Sequence, residues 1–233
     1  MNEDAKAVQE VAKTAGKAID TTRELGGFVS RIIGEPLESA VGMIGDKLSY
    51  MRWERQTRLM MRSEEVINEL GLEGRMQPVQ MKLAVRILQG ASMEEDDVLQ
   101  DIWIKLLVNA ANPDFKHEII PAFATILNDF GPMEARILQT IYEADIWPMR
   151  GAPINGLPDS VREEYSNEPN VEPSQEVKVA VWNLVRLNCL KHCEVYSNVA
   201  ITDLGKALIR ACTLPGDEKT GPNAEAQGPI LGN

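Results

Sequence analysis

Aromatic residues make up only 5% of this 233-residue chain, histidine occurs twice and cysteine three times. Each scarcity removes a class of chemistry. With only His117 and His192, general acid–base work would fall on carboxylates that nothing singles out. An odd cysteine count argues against a disulfide framework and suits a reducing, cytoplasmic setting. A membrane-spanning helix needs about 20 apolar residues in a row. In the most apolar stretch Arg31, Glu35 and Glu38 interrupt the run, and Asp46 and Lys47 end it. No charged segment followed by an apolar one opens the chain, so no secretory signal is read. No internal repeat of about 20 to 50 residues is present.

Motifs of catalysis are missing too. There is no phosphate-binding glycine loop, no nucleophile elbow and no dinucleotide fingerprint. His117-Glu118 begins like a zinc-protease motif, but Pro121 stands where the second histidine must be. Cys189, His192 and Cys193, with Cys212 further on, match no standard zinc spacing and read as structural cysteines. No catalytic, cofactor-binding or metal residue is assigned, no cofactor is implied, and the chain reads as a non-enzyme.

What is present is acidic and globular in composition. The formal net charge is −11, with 44% apolar and 25% charged residues. Such a balance disfavours nucleic acid as a partner. One segment runs against it. Residues 46–62 carry Lys47, Arg52, Arg55, Arg58 and Arg62 against Asp46 and Glu54, a local excess of three positive charges. Arg55, Arg58 and Arg62 share a helical face, and Arg52 precedes them. This basic face has two readings: a footprint for an anionic membrane surface or nucleic acid, or a solvated face that pairs with acids such as those between Glu94 and Asp101.

Immediately before it lies the most distinctive stretch, LGGFVSRIIGEPLESAVGMIGDKL from Leu25. Gly26, Ser30, Gly34 and Gly42 fall on a four-residue spacing broken only by Glu38. On a helix that spacing makes a stripe of small residues, which lets another backbone approach closely. Pro36 should kink or divide the helix near Ile32 to Glu35. The stripe fits a helix packed on its own core, a seam between copies of the chain, or an interfacial membrane segment. Self-association through Gly26, Ser30, Gly34 and Gly42 is the expectation carried forward.

Along the chain, periodicity predicts an amphipathic helix over 3–22 and another over about 46–70, closed by Gly71 and Gly74. Pro78 should open the next helix. Ser92 with Glu95 reads as a capping box for the one after, whose buried face is Leu99, Ile102, Trp103, Leu106 and Leu107. Short helices are expected at 119–130 and 134–143, the latter begun by Gly131-Pro132. The proline-rich 145–174 reads as a long surface loop, with a short helix at 159–165. A helix at 177–190, a hairpin over 193–201 and a last helix at 203–212 capped by Thr202 follow. The tail from 214 reads as disordered. The fold class is mostly α, with four parts: an N-terminal helical region (1–74), a helical core (75–130), a winged-helix-like part with a small β-hairpin (131–213) and the tail (214–233). A DNA-binding version would use 177–210, yet its candidate recognition helix exposes only Lys178 and Arg186 as cations.

Three segments together resemble the abortive-infection alpha family of bacterial proteins: AKAVQEVAKTAGKAID with LGGFVSRIIGEPLESAVGMIGDKL and RWERQTRLM; DDVLQDIWIKLLVNAANP; and ITDLGKALIRAC. The likeness spans roughly residues 5–213. It implies defence against phage by halting or killing the infected cell, and it carries no established catalytic residues. The partners expected are further copies of the chain, on the small-residue stripe, and a neighbouring-gene defence protein or phage product, with membrane association on activation as one output of the basic face.

Overall fold

The computed structural model describes residues 23–36, 53–144, 151–161, 172–193 and 198–217. The chain divides into two compact units, Met1–Ala124 and Thr125–Asn233. Among the described residues the regular structure of the first is helical. The second holds a small three-stranded antiparallel sheet among helices.

In the first unit, helix α1 covers 23–33 and buries Leu25, Phe28, Val29, Ile32 and Ile33. It ends where Pro36 was expected to divide it. Helix α2 (Trp53–Glu69) buries Leu59, Val66 and Ile67. It closes in a turn in which the Leu72 N–H donates to the Ile67 carbonyl, and the Leu72 side chain folds into the core. Residues 76–80 are then extended, and helix α3 (Met81–Met93) starts later than Pro78 suggested. The reason is a hydrogen bond: the Val79 N–H donates to the Ile32 carbonyl at 2.8 Å, pinning this segment to the end of α1.

Helix α4 (Asp97–Ala111) packs with α2 and α3. Its expected cap is corrected. Ser92 lies inside α3, fully buried, with its hydroxyl donating to the Leu88 carbonyl at 2.7 Å. Asp96 caps α4 instead, its carboxylate accepting from the Val98 and Leu99 N–H groups. The buried face is also wider than the periodicity implied. Gln100, Ile104, Val108, Asn109 and Ala111 are buried alongside Leu99, Trp103, Leu106 and Leu107, while Ile102 is half-buried. Helix α5 (Pro121–Leu127) carries the chain from one unit into the next.

The second unit begins with helix α6 (Pro132–Glu143), whose Glu134 carboxylate accepts from the Gly131 N–H at 3.0 Å. Part of the expected surface loop is core. Strand β1 (Ala152–Pro153) pairs antiparallel with β3 (Asn198–Ile201), Ala152 opposite Val199, and both Ala152 and Leu157 are buried. A single-turn 3-10 segment, Ile154–Gly156, follows. Helix α7 (Gln175–Arg186) is shorter than predicted because Asn188 turns the chain with φ +58°, releasing Leu190 into strand β2 (Leu190–His192). The sheet order is β1-β3-β2, with Leu190 opposite Ile201 and His192 opposite Val199. Helix α8 (Asp203–Ala211) is capped by Thr202 as expected, its hydroxyl accepting from the Gly205 N–H at 3.0 Å. The predicted helix over 3–22, the far end of the expected 159–165 helix and the tail beyond Asp217 lie outside the described residues.

Packing in the first unit hinges on Trp103, the largest of its fully buried side chains. Its indole lies against Gly90 of α3: a Cβ built there would stand 2.4 Å from Cη2 and 2.5 Å from Cζ2. Gly90→Ala is expected to destabilise the protein, because overpacking of about 1–3 kcal/mol exceeds the gain of about 1 kcal/mol from replacing a helical glycine. Gly27→Ala in α1, where a Cβ meets nothing within 4 Å, should be neutral or stabilising. Thermal midpoints of the two variants against wild type check this; a Gly90→Ala midpoint at or above that of Gly27→Ala contradicts the packing.

Candidate functional site

The basic face lies on α2, and two of its arginines meet the first turn of α4. Arg55 Nη1 donates to the Asp97 carboxylate, and its Nη2 donates to the Glu95 carbonyl. Arg58 Nη2 reaches Asp101 Oδ1 at 3.2 Å, and its Nε lies 3.6 Å from Asp97 Oδ1, so Asp97 bridges both guanidinium groups. Arg58 Nη1 donates to Gln100 Oε1. Gln100 is fully buried, and its amide nitrogen donates to the Ala91 carbonyl at 2.9 Å and to the Arg55 carbonyl at 3.4 Å. One amide therefore ties α2, α3 and α4 together. Arg62, a turn further on, pairs at 2.8 Å with Glu65 of its own helix. Arg52 lies outside the described residues.

This arrangement follows from local chemistry. The first turn of α4 presents unpaired N–H groups and a positive dipole end, which favour Asp96 and Asp97 there. Asp97, with Asp101 a turn further on, then supplies the partners that Arg55 and Arg58 of α2 need. Arg55 beside Asp97 holds that carboxyl below its ordinary range, with Arg58 adding to the effect. Sequence reading did not single out Gln100 or Asp96. Five polar residues between Ser92 and Asp97 compete for the cap by pattern alone, and a glutamine inside a helix looks solvated until its neighbours are known.

The small-residue stripe is interrupted. Gly26 is buried and Ser30 half-buried on α1, but Gly34 stands past the helix end with φ +70°. A Cβ on Gly34 would come within 3.0 Å of Pro78 Cγ, so its neighbour is this chain's own Pro78. Gly34 therefore does not continue the helical face of Gly26 and Ser30, and a larger residue there would disturb the fold whatever it did to assembly. Gly42 lies outside the described residues.

Elsewhere, both cations of the candidate recognition helix are engaged: Lys178 with Glu172, and Arg186 with Asp129 at 2.8 Å. Cys189 is buried, and burial pushes its thiol up to about 11, leaving it protonated at neutral pH. Cys193 is raised for the same reason. His117 and Glu118 line a groove of about 310 Å³ between residues 77–80 and 115–119, with the His117 ring edge-on to Phe115. Among the described residues no three His, Cys, Asp or Glu side chains are grouped to hold a metal ion, and no helix is long and apolar enough to cross a membrane.

A protein-family model described as abortive infection alpha matches residues 54–212. The match opens at the start of α2 and ends just past α8; it takes in the second and third segments of the likeness read from sequence and begins after the small-residue stretch from Leu25. No curated protein and no solved structure matches the chain.

The network has a defined pH signature. Because the folded-state pKa of Asp97 is depressed, its contribution is present above the unfolded value, near 3.8, and is lost as pH falls through the folded one. Asp97→Asn should therefore lower the thermal midpoint slightly at pH 7, and the gap to wild type should close in the acid range. Gln100→Ala should cost more, about 1–3 kcal/mol, because it strands buried groups. Thermal melts from pH 2 to pH 8 measure both; a gap for Asp97→Asn that widens in acid would contradict the pairing.

Proposed function

We propose that the chain, which belongs to the abortive infection alpha family, acts in bacterial defence against phage by halting or killing the infected cell. The observation that carries this reading is the family match over residues 54–212, which takes in most of both compact units. The protein acts without catalysis, by assembling with copies of itself through its N-terminal region and then engaging a partner. That partner is a neighbouring-gene defence protein or a phage product. Gly26, Ser30 and Gly42 remain the positions proposed for the N-terminal seam.

Of the two outputs open to it, activation of a partner is favoured over disturbance of a membrane. Arg55 and Arg58, the strongest candidates for lipid headgroups, are committed to Asp97, Asp101 and Gln100. Each cation near an anionic surface is worth about 1 kcal/mol, and that gain is offset by breaking the pairs already made. The second unit is read as a winged-helix-like platform for protein contacts, since its element order and its β1-β3-β2 sheet fit such a layout while Lys178 and Arg186 are paired.

Two measurements test the reading. Cells expressing the protein should die on infection without releasing phage, so that a culture infected at low multiplicity survives; cells that lyse with an undiminished burst at every multiplicity would remove the defence role. Wild-type protein should leave anionic vesicles unbound at physiological salt and show an assembly mass in light scattering that Gly42→Leu reduces. Pelleting with vesicles would move the output to the membrane, and a monomeric wild type would remove self-association.

A further inference from the structure

Helix α7 buries Val177, Ala180, Val181 and Leu184, yet it leaves Val179 58% and Trp182 64% exposed on its outer side. Few large apolar side chains among the described residues are so exposed, and these two are adjacent on one helical face. Trp182 is not loose: its ring lies 4.9 Å from that of His192 on β2, which holds it in place beside the hairpin. A fixed aromatic next to an aliphatic residue is the composition of an interface centre rather than of a solvated face.

The charges around them have an order. Exposed Glu176 sits in the first turn and exposed Arg186 in the last, with Val179 and Trp182 between them at matching distances from the middle of the helix. The stripe is therefore acid, apolar, apolar, base when read from either end with the signs exchanged. Antiparallel docking of this stripe on a second copy about a two-fold axis would set Glu176 opposite the partner's Arg186, and Val179 opposite the partner's Trp182. A two-fold interface requires such self-complementarity, since each residue must suit the one that its own copy presents. Arg186 already pairs with Asp129 at 2.8 Å, and a guanidinium with several donors can serve both carboxylates.

We propose that the exposed face of α7, centred on Val179 and Trp182 with Glu176 and Arg186 at its ends, is a homodimer surface whose occupant is a second copy of this chain. This rests on the self-association reading above but assigns a contact to the second unit, separate from the N-terminal seam. Twelve residues of helix span about 18 Å, so the contact is small and the dimer dissociates at moderate dilution.

The test is sedimentation of the full chain over a concentration series up to about 100 µM, with circular dichroism to confirm folding. Trp182→Glu should weaken dimerisation at least tenfold, and Val179→Lys, a second exposed substitution, should act likewise. Glu176→Arg and Arg186→Glu should each weaken it several-fold, and the two together should restore it to about the wild-type value. An assembly that persists through all four changes, but is reduced by Gly42→Leu, overturns this surface and leaves the N-terminal seam standing. A wild type monomeric throughout overturns both. A monomeric wild type whose Trp182→Glu variant loses phage protection hands the face to a different protein and also overturns the proposal.

Discussion

Helix α4 is buried on nearly every side, and the first unit is arranged around satisfying it. An ordinary surface helix hides one stripe and leaves its polar side chains to water. Here Gln100 is buried with the apolar residues, and an amide in that position must find partners inside the protein. It finds them in the carbonyls of Ala91 and Arg55 and in the Arg58 guanidinium. The apolar side of the same constraint is Trp103, which needs Gly90 because no other residue leaves room for the indole. Magnitudes rank these contributions. Burying an indole is worth several kcal/mol, and stranding a buried amide about 1–3, whereas the exposed part of an ion-pair network is worth about 0–1 per pair. The arginines thus fix register and angle between helices more than they supply stability.

The second unit solves a related problem with less apolar material. Thr202 works in both directions at once. Its hydroxyl donates to the Asn188 carbonyl and its N–H to the Cys189 carbonyl, where α7 turns into β2, while the hydroxyl oxygen accepts from the Gly205 N–H to start α8. Glu134 is similarly shared: one oxygen caps α6 and the other accepts from the Asn183 amide of α7. Each of these side chains joins two elements of a unit whose strands are only two to four residues long.

Legibility in the sequence followed the range of the interaction involved. Helices set by local periodicity were readable to within a few residues, as were caps with a single candidate, such as Thr202 and the Gly131-Pro132 start. The failures are long-range. Val79 is extended because of Ile32, far back in the chain, and β1 exists because Val199 waits beside it; neither partner is visible from the local pattern. The cap of α4 was misread because Ser92 meets Leu88 within its own helix. The glycine spacing misled for a different reason. Gly34 keeps the four-residue rhythm but stands past the helix end, so a period that looked like one face runs beyond the helix. The arginine cluster was legible as a face, but its partners were only one of two alternatives until α4 was placed beside it.

Pairing of that cluster changes what the protein presents to its surroundings. The chain carries a net charge of −11, and residues 46–62 hold its local basic excess. Arg55 and Arg58 each meet carboxylates and Arg62 meets Glu65, so these three cations are already paired. At physiological ionic strength such fields reach about 8 Å, so an approaching molecule senses local patches rather than the sum. Helix α2 carries three arginines against four glutamates, and Glu94, Glu95, Asp96, Asp97 and Asp101 add five acids at the start of α4, so this region too is acidic on balance. On the proposed reading, a partner that recognises this protein is therefore selected by shape and apolar contact, or carries positive charge, and an anionic surface is turned away unless the α2–α4 pairs first open.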